Sequence, residues 1–392
     1  MTAPSLLLPL LIFGSMAVPL QAAEVPAVRP GRIFTASGQP ADEAFFPIAV
    51  WLQDPRNAPR YQAAGINLYV GLWKGPTELQ LETLTKAGMP VICDQSATGL
   101  AHRSNPIIAA WMHGDEPDNA QALPGGKGYG PPILPEVIVK DYTRLREADP
   151  SRPVLLNLGQ GVAFDNYIGR GVRRNHPEDY ASYLQGCDIA SFDIYPVVHQ
   201  SPEVSGKLEF VARGVERLTQ WTEGKKPVWN CIECTDMDGI GRKATPAQVR
   251  SEIWMALIRG SRGLIYFVHQ FKPVFKEFAL LSDPEMLTAV TAINRQIKEL
   301  APFLNRPSLP DALTTVSSAA GSPVIAVLKE SRGTTCVFAV NLTPEPATAV
   351  FTLKNATATK AQVLEESRQL EIADRTFQDS FAPYAVHLYR LE

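Results

Sequence analysis

Two glutamates stand out by their settings. Glu116 lies in Trp111-Met112-His113-Gly114-Asp115-Glu116-Pro117-Asp118, and Glu233 in Trp229-Asn230-Cys231-Ile232-Glu233-Cys234. Each closes a strongly apolar stretch, where an unpaired carboxylate is costly. Two carboxyls that meet over a ligand can divide the work. One, kept protonated, gives its proton to a leaving oxygen, and the other attacks the carbon being released. Equal reach suits a pair of glutamates, because environment sets which of them holds the proton. Comparable positions, at or near the ends of apolar runs, carry Trp51, Gln53, Trp73, Asp94, His113, Asp115, Asn157, Tyr195, His269 and Gln270. Such a set suits a sugar, whose flat apolar faces stack on rings while its hydroxyls bond to amides and carboxylates.

These residues act together only if one rim collects them. Eight short apolar runs occur in order, at 45–53, 66–73, 90–95, 107–116, 153–159, 188–195, 227–233 and 263–270. They are nearly continuous rather than alternating, as expected of strands buried on both faces. Helical patterns lie between them. The segment 77–88 opens on Thr77 as a cap and ends at Gly88, and Pro246 follows Thr245 in the same sense. Segment 135–150 places Val137, Val139, Tyr142 and Leu145 on one face, while the third connection, 97–105, gives no clear helix. Strand and helix alternating eight times over about 260 residues predict a (β/α)8 TIM barrel, here spanning 30–306. An open doubly wound sheet would show a glycine-rich phosphate loop after its first strand. Here Trp51-Leu52-Gln53-Asp54-Pro55 stands in that place. In a barrel the strands' carboxyl ends share one face, and the site belongs there. The ends of strands four and seven supply the two glutamates, and strand six offers Asp193 and Tyr195.

Glutamates after strands four and seven, the first followed by Pro117, resemble the large clan of retaining glycoside hydrolases that includes cellulases, β-galactosidases and β-mannanases. The resemblance implies Glu116 as acid/base and Glu233 as nucleophile in a double displacement. It also implies Tyr195, in Ser191-Phe192-Asp193-Ile194-Tyr195-Pro196, as a hydrogen-bond partner of the nucleophile. It covers the barrel in layout through short motifs and singles out no one family. Two positions depart from the pattern. Asp115 stands where the clan has the asparagine that bonds the sugar 2-hydroxyl, and Lys74 follows Trp73 where the clan has an arginine. Two other readings stay open: a carbohydrate-binding barrel without catalysis, and a metal-dependent hydrolase working through His113, His269 and Asp94.

The chain has 392 residues, 45% of them apolar, and a net charge of -3. That excludes disorder as the main state and lacks the basic footprint of a nucleic-acid binder. Residues 6–20 form an apolar run before Gln21-Ala22-Ala23, like a signal peptide over 1–23, although Met1 to Ser5 carry no Lys or Arg. Secretion or a periplasmic location is therefore expected, with no membrane partner after its removal. Five cysteines include Cys231 and Cys234 as a C-x-x-C. On a strand those two point to opposite faces, which argues against a shared metal. No cofactor or metal is implied, and the expected partner is a carbohydrate.

From 307 to 392 the pattern turns to short alternating segments between turns, a small antiparallel β-sandwich-like domain. Asn341 and Asn355 sit in glycosylation triplets. Two loops could shape the cleft: 118–132, rich in Gly and Pro, and 160–176, with Arg170, Arg173, Arg174 and His176. The basic loop reads either as a solvated surface or as a subsite for uronate or sulfate.

Overall fold

A computed structural model describes residues 32–318, 323–354 and 357–392. The leader-like segment 1–23 and Asn355 lie outside the described residues. Eight parallel strands close into a barrel in chain order: β1 Ile48–Trp51, β2 Leu68–Val70, β3 Val91–Asp94, β4 Ile108–Met112, β5 Val154–Leu158, β6 Ile189–Phe192, β7 Val228–Glu233 and β8 Leu264–Phe267. Both faces of the strands are buried. Trp51, Val70, Ile92, Met112, Leu155, Ile189, Trp229, Cys231 and Ile265 belong to one inner cluster. The alternate residues, such as Val50, Tyr69, Trp111 and Ile232, join the layer beneath the helices. The near-continuous apolar runs follow from this double burial. Cys231 and Cys234 fall in different layers, and all five cysteines are buried and free.

Eight helices wrap the barrel: α1 Ala58–Ala63, α2 Glu78–Ala87, α3 Ala97–Ala101, α4 Pro135–Ala148, α5 Asp179–Tyr183, α6 Glu209–Trp221, α7 Pro246–Ile258 and α8 Pro284–Leu304. Thr77 with Gln80, and Thr245 with Gln248, form capping boxes at α2 and α7. Gly88 ends α2 at φ 65°, a left-handed turn that favours glycine. The third connection does hold a helix, short and capped by Ser96. The buried stripe of α4 differs from the expected one. Ile138 and Leu145 are buried, whereas Val137 is exposed, because the packing face lies one residue further along. Among the described residues no helix is long and apolar enough to cross a membrane.

After α8 come β9 Leu313–Ser317, β10 Val324–Ser331, β11 Thr334–Asn341, β12 Ala347–Leu353, β13 Lys360–Val363, β14 Gln369–Glu371, β15 Thr376–Phe381 and β16 Val386–Leu391. They form a five-stranded sheet, β10-β11-β16-β13-β14, and a three-stranded one, β15-β12-β9, with antiparallel pairing. A third apolar cluster fills the space around Phe351, Phe377 and Tyr389. Asn341 is buried, its amide donating to the carbonyls of Glu345 and Ala382, so that triplet is closed to a glycan. Helix α7 joins the two parts. Trp254 packs on Phe338 with ring centroids 5.2 Å apart, Ser251 Oγ donates to the Tyr384 carbonyl, and Arg250 Nη1 to that of Val386.

Candidate active site

At the carboxyl ends of the strands lies a cleft of about 1640 Å³. Its lining includes Asp115 and Glu116 after β4, Asp193 and Tyr195 after β6, and Trp51, Gln53, Trp73 and His269. The volume exceeds that of an ordinary small-molecule pocket and leaves room for a chain of units.

Glu116 has φ 43°, a left-handed backbone that costs a non-glycine residue about 1–3 kcal/mol and that clusters at functional positions. Neighbours fix it there. Its N–H donates to the Asn157 carbonyl at 3.1 Å, and its own carbonyl accepts from Asn119 N and Gln121 Nε2. Asp115 is open to the cleft yet hemmed in by protein. Asn157 Nδ2 donates to Asp115 Oδ1 at 2.9 Å, and Ser191 Oγ donates in turn to Asn157 Oδ1. Asp118 sits fully buried below, bound by the Gly159 amide and the Tyr180 hydroxyl. It braces the turn and does not line the cleft.

Asp193 faces Glu116 across the gap between β4 and β6, close enough for a protonated carboxyl to donate to a charged one. The Tyr195 hydroxyl also faces Asp193, short of a well-formed hydrogen bond, and both that hydroxyl and Asp193 Oδ1 are buried with no other partner among the described residues. Burial dominates the electrostatics. It pushes Asp115 up to about 6 and Asp193, with the Asp115 charge beside it, up to about 7. Glu116 rises well above the usual range through burial and then through its two acidic neighbours. Three carboxyls so close cannot all ionise at neutral pH, so a proton stays in the cluster.

One wall is aromatic. Phe267, His269, Phe271 and Phe275 lie in sequence, with His269 stacked on Phe271 and Phe275 at 12° and 17° between planes. Tyr195 packs on Phe267 with centroids 5.2 Å apart. Burial lowers the His269 pKa and keeps the ring neutral. Trp73, 67% exposed, stands free to stack. Of the basic loop, Arg170 and Arg173 bond to Asp179 and His176 to Glu178, while Arg174 reaches the cleft wall. Loop 118–132 does not line the cleft.

Five expected residues lie elsewhere. Glu233 is wholly buried and absent from the cleft lining: its Oε1 accepts the Val197 amide at 2.6 Å, its Oε2 the Val198 amide at 3.0 Å, and the Glu252 carboxyl of α7 lies beside it. His113 turns toward the helices, with Nε2 on the Gly186 carbonyl and Nδ1 3.1 Å from Asp141. Asn157 lies behind Asp115, Asp94 ends β3 outside the cleft, and Gln270 edges a separate hollow with Lys243 and Asp283. Asp94 and His269 therefore do not share a metal site with His113, and the described residues hold no cluster that could bind a metal. Asp193, Phe271 and Phe275 are the residues the strand-end reading left out of the reacting and binding set.

The chain shares its fold with solved glycoside hydrolases. A family 42 β-galactosidase from G. stearothermophilus is similar with a TM-score of 0.57 at 9% identity, over 89% of this chain and 98% of that one. A chain described as a candidate α-galactosidase from Bacteroides fragilis gives 0.54 at 10%, over 89% and 79%. AmyP, solved in complex with maltose, gives 0.50 at 10%, over 89% and 96%. No known family matches the sequence, and no curated protein does. At these identities the likeness is one of fold: a closed (β/α)8 barrel followed by antiparallel β-sheets.

Proposed function

We propose that the protein is a glycoside hydrolase acting on a poly- or oligosaccharide, with Glu116 as acid/base and Asp193 as nucleophile. One observation carries this reading. Glu116 and Asp193 meet in a large cleft, at the strand ends where barrel enzymes react, in one lining with a wall of stacked rings. Burial keeps the Glu116 proton available for the leaving oxygen. Asp193 then attacks the anomeric carbon, and Tyr195 steadies its charge. Water, deprotonated by Glu116, releases the sugar in the second step. Asp115, held by Asn157, is placed to accept a sugar hydroxyl.

The closeness of the two carboxyls, which leaves no gap for an intervening water, supports retention. Inversion needs a gap of about 6.5–9.5 Å for a water, whereas retention works at about 5–5.5 Å. The nucleophile is thus moved from Glu233, which has no access to the cleft, to Asp193. The leader-like segment supports export, and the fold's company among carbohydrate enzymes supports a saccharide partner. The test is inactivation with 2-fluoro glycosides of several sugars, followed by peptide mass spectrometry. A label on Asp193 is expected; a label on Glu233 would overturn the assignment.

A further inference from the structure

Glu233 and Glu252 are each wholly inaccessible to solvent, yet the cleft chemistry uses neither. Glu233 ends β7, and Glu252 lies on α7 immediately outside it. The two Glu233 oxygens accept two successive amides, those of Val197 and Val198. No described N–H or hydroxyl donates to either oxygen of Glu252, which faces Glu233. The Cys234 thiol is within electrostatic reach of both glutamates and of the Lys243–Asp283 ion pair. Among the described residues no cation bonds to either glutamate.

Two buried carboxylates in contact cannot both be charged. The amides point to which one is. Two N–H groups aimed at one carboxylate favour its ionised form, whereas a carboxyl without donors favours the neutral form. We infer that Glu252 is a neutral acid whose O–H donates to an ionised Glu233, and that this proton-sharing pair positions the Asp193–His199 segment through the Val197 and Val198 amides. The inference rests on the reading of Asp193 as a reacting carboxyl. That segment carries Asp193 and Tyr195, and its Val198 and His199 also line the cleft. Glu233 is therefore a positioning residue: it fixes where the loop turns, and Glu252 keeps its charge tolerable inside the protein.

The test uses hydrogen exchange at the Val197 and Val198 amides of the full chain, which does not depend on turnover. Glu252→Gln retains a donor toward Glu233 and is expected to leave both amides protected. Glu252→Leu removes it and is expected to speed their exchange about tenfold, the scale of one lost hydrogen bond. Where turnover is measurable, Glu252→Leu should lower kcat more than it raises KM, with Glu252→Gln restoring it. Wild-type protein at about pH 8 should also show one more protonated carboxyl in its infrared spectrum than Glu252→Gln, beside that of Glu116 which both share, since exposed glutamates titrate near 4.3. Unchanged exchange in a folded Glu252→Leu, or no such band difference, would overturn the pairing. Absence of glycosidase activity in the wild type would instead sink the functional reading and leave these two measurements standing.

Discussion

Asn157 Nδ2 and Asp115 Oδ1 stand 2.9 Å apart, and the Ser191 hydroxyl holds the other end of the amide. This fixes the amide's orientation and gives Asp115 its one side-chain donor among the described residues. Removing it with Asn157→Ala takes away a hydrogen bond to a charged group, worth about 1.5–3 kcal/mol. Activity at neutral pH should fall about 10–100-fold as Asp115 loses its fixed place, and the acidic limb of the rate profile should move to lower pH, because a less charged Asp115 pushes Asp193 up less. Steady-state kinetics across pH would check both.

The wild-type profile should be bell-shaped and centred at neutral to mildly alkaline pH. In the proposed roles, turnover needs Asp193 charged and Glu116 protonated. Burial and the neighbouring Asp115 push Asp193 up to about 7, so activity rises as pH climbs through that region. It falls again where Glu116, held well above the usual range, loses its proton. An optimum near pH 4–5, where unperturbed carboxyls titrate, would contradict the assignment.

Glu116→Gln should lower kcat by about 10²–10⁴-fold on ordinary glycosides. The loss should shrink on substrates with strongly acidic aryl leaving groups, which need no proton. Asp193→Asn should lose activity on both kinds of substrate, and azide should rescue Glu116→Gln rather than the Glu233→Gln variant.

Phe271→Ala and Phe275→Ala remove single members of the stacked wall. At about 0.5–1.5 kcal/mol per ring contact, each should raise KM about two- to tenfold with kcat nearly unchanged. Binding isotherms with oligosaccharides would show the same loss.

In the β-domain, Asp379 accepts from Arg368, His387, Tyr389 and the Ser380 amide. These bonds outweigh burial and hold its carboxyl far below the usual range. The depressed pKa gives a stabilising contribution that is fully present above the unfolded value near 3.9 and is lost as pH falls toward the folded one. Asp379→Ala leaves Arg368 its Glu366 partner but removes the shared acceptor of Arg368, His387 and Tyr389, and should cost about 1.5–3 kcal/mol, visible in denaturant melts at neutral pH and shrinking in acid.

The barrel was legible because its strands are apolar on both faces, and a pattern of that kind survives every local irregularity. Glu116 was legible for a related reason: it follows the carboxyl end of such a strand by four residues, on the face where the barrel's loops gather. Glu233 shows where the argument stops. Trp229 and Cys231 point inward, so alternation alone would aim Glu233 toward the cleft. The last residue of a strand instead follows whichever partners its loop offers, and here two amides from the β6 loop and an acid on α7 claim it. Asp193 was seen at a strand end, but nothing in a linear pattern shows that it approaches Glu116. Phe271 and Phe275 fall beyond the strand, where period-based reading has no purchase.

Helix α7 presents Glu252 to one neighbour and Arg250, Ser251 and Trp254 to the other. The cleft and the appended sheets thus lean on a shared strut. Trimming the C-terminal sheets would unseat that strut, and the injury would register as sluggish turnover although no group touching the saccharide had been altered.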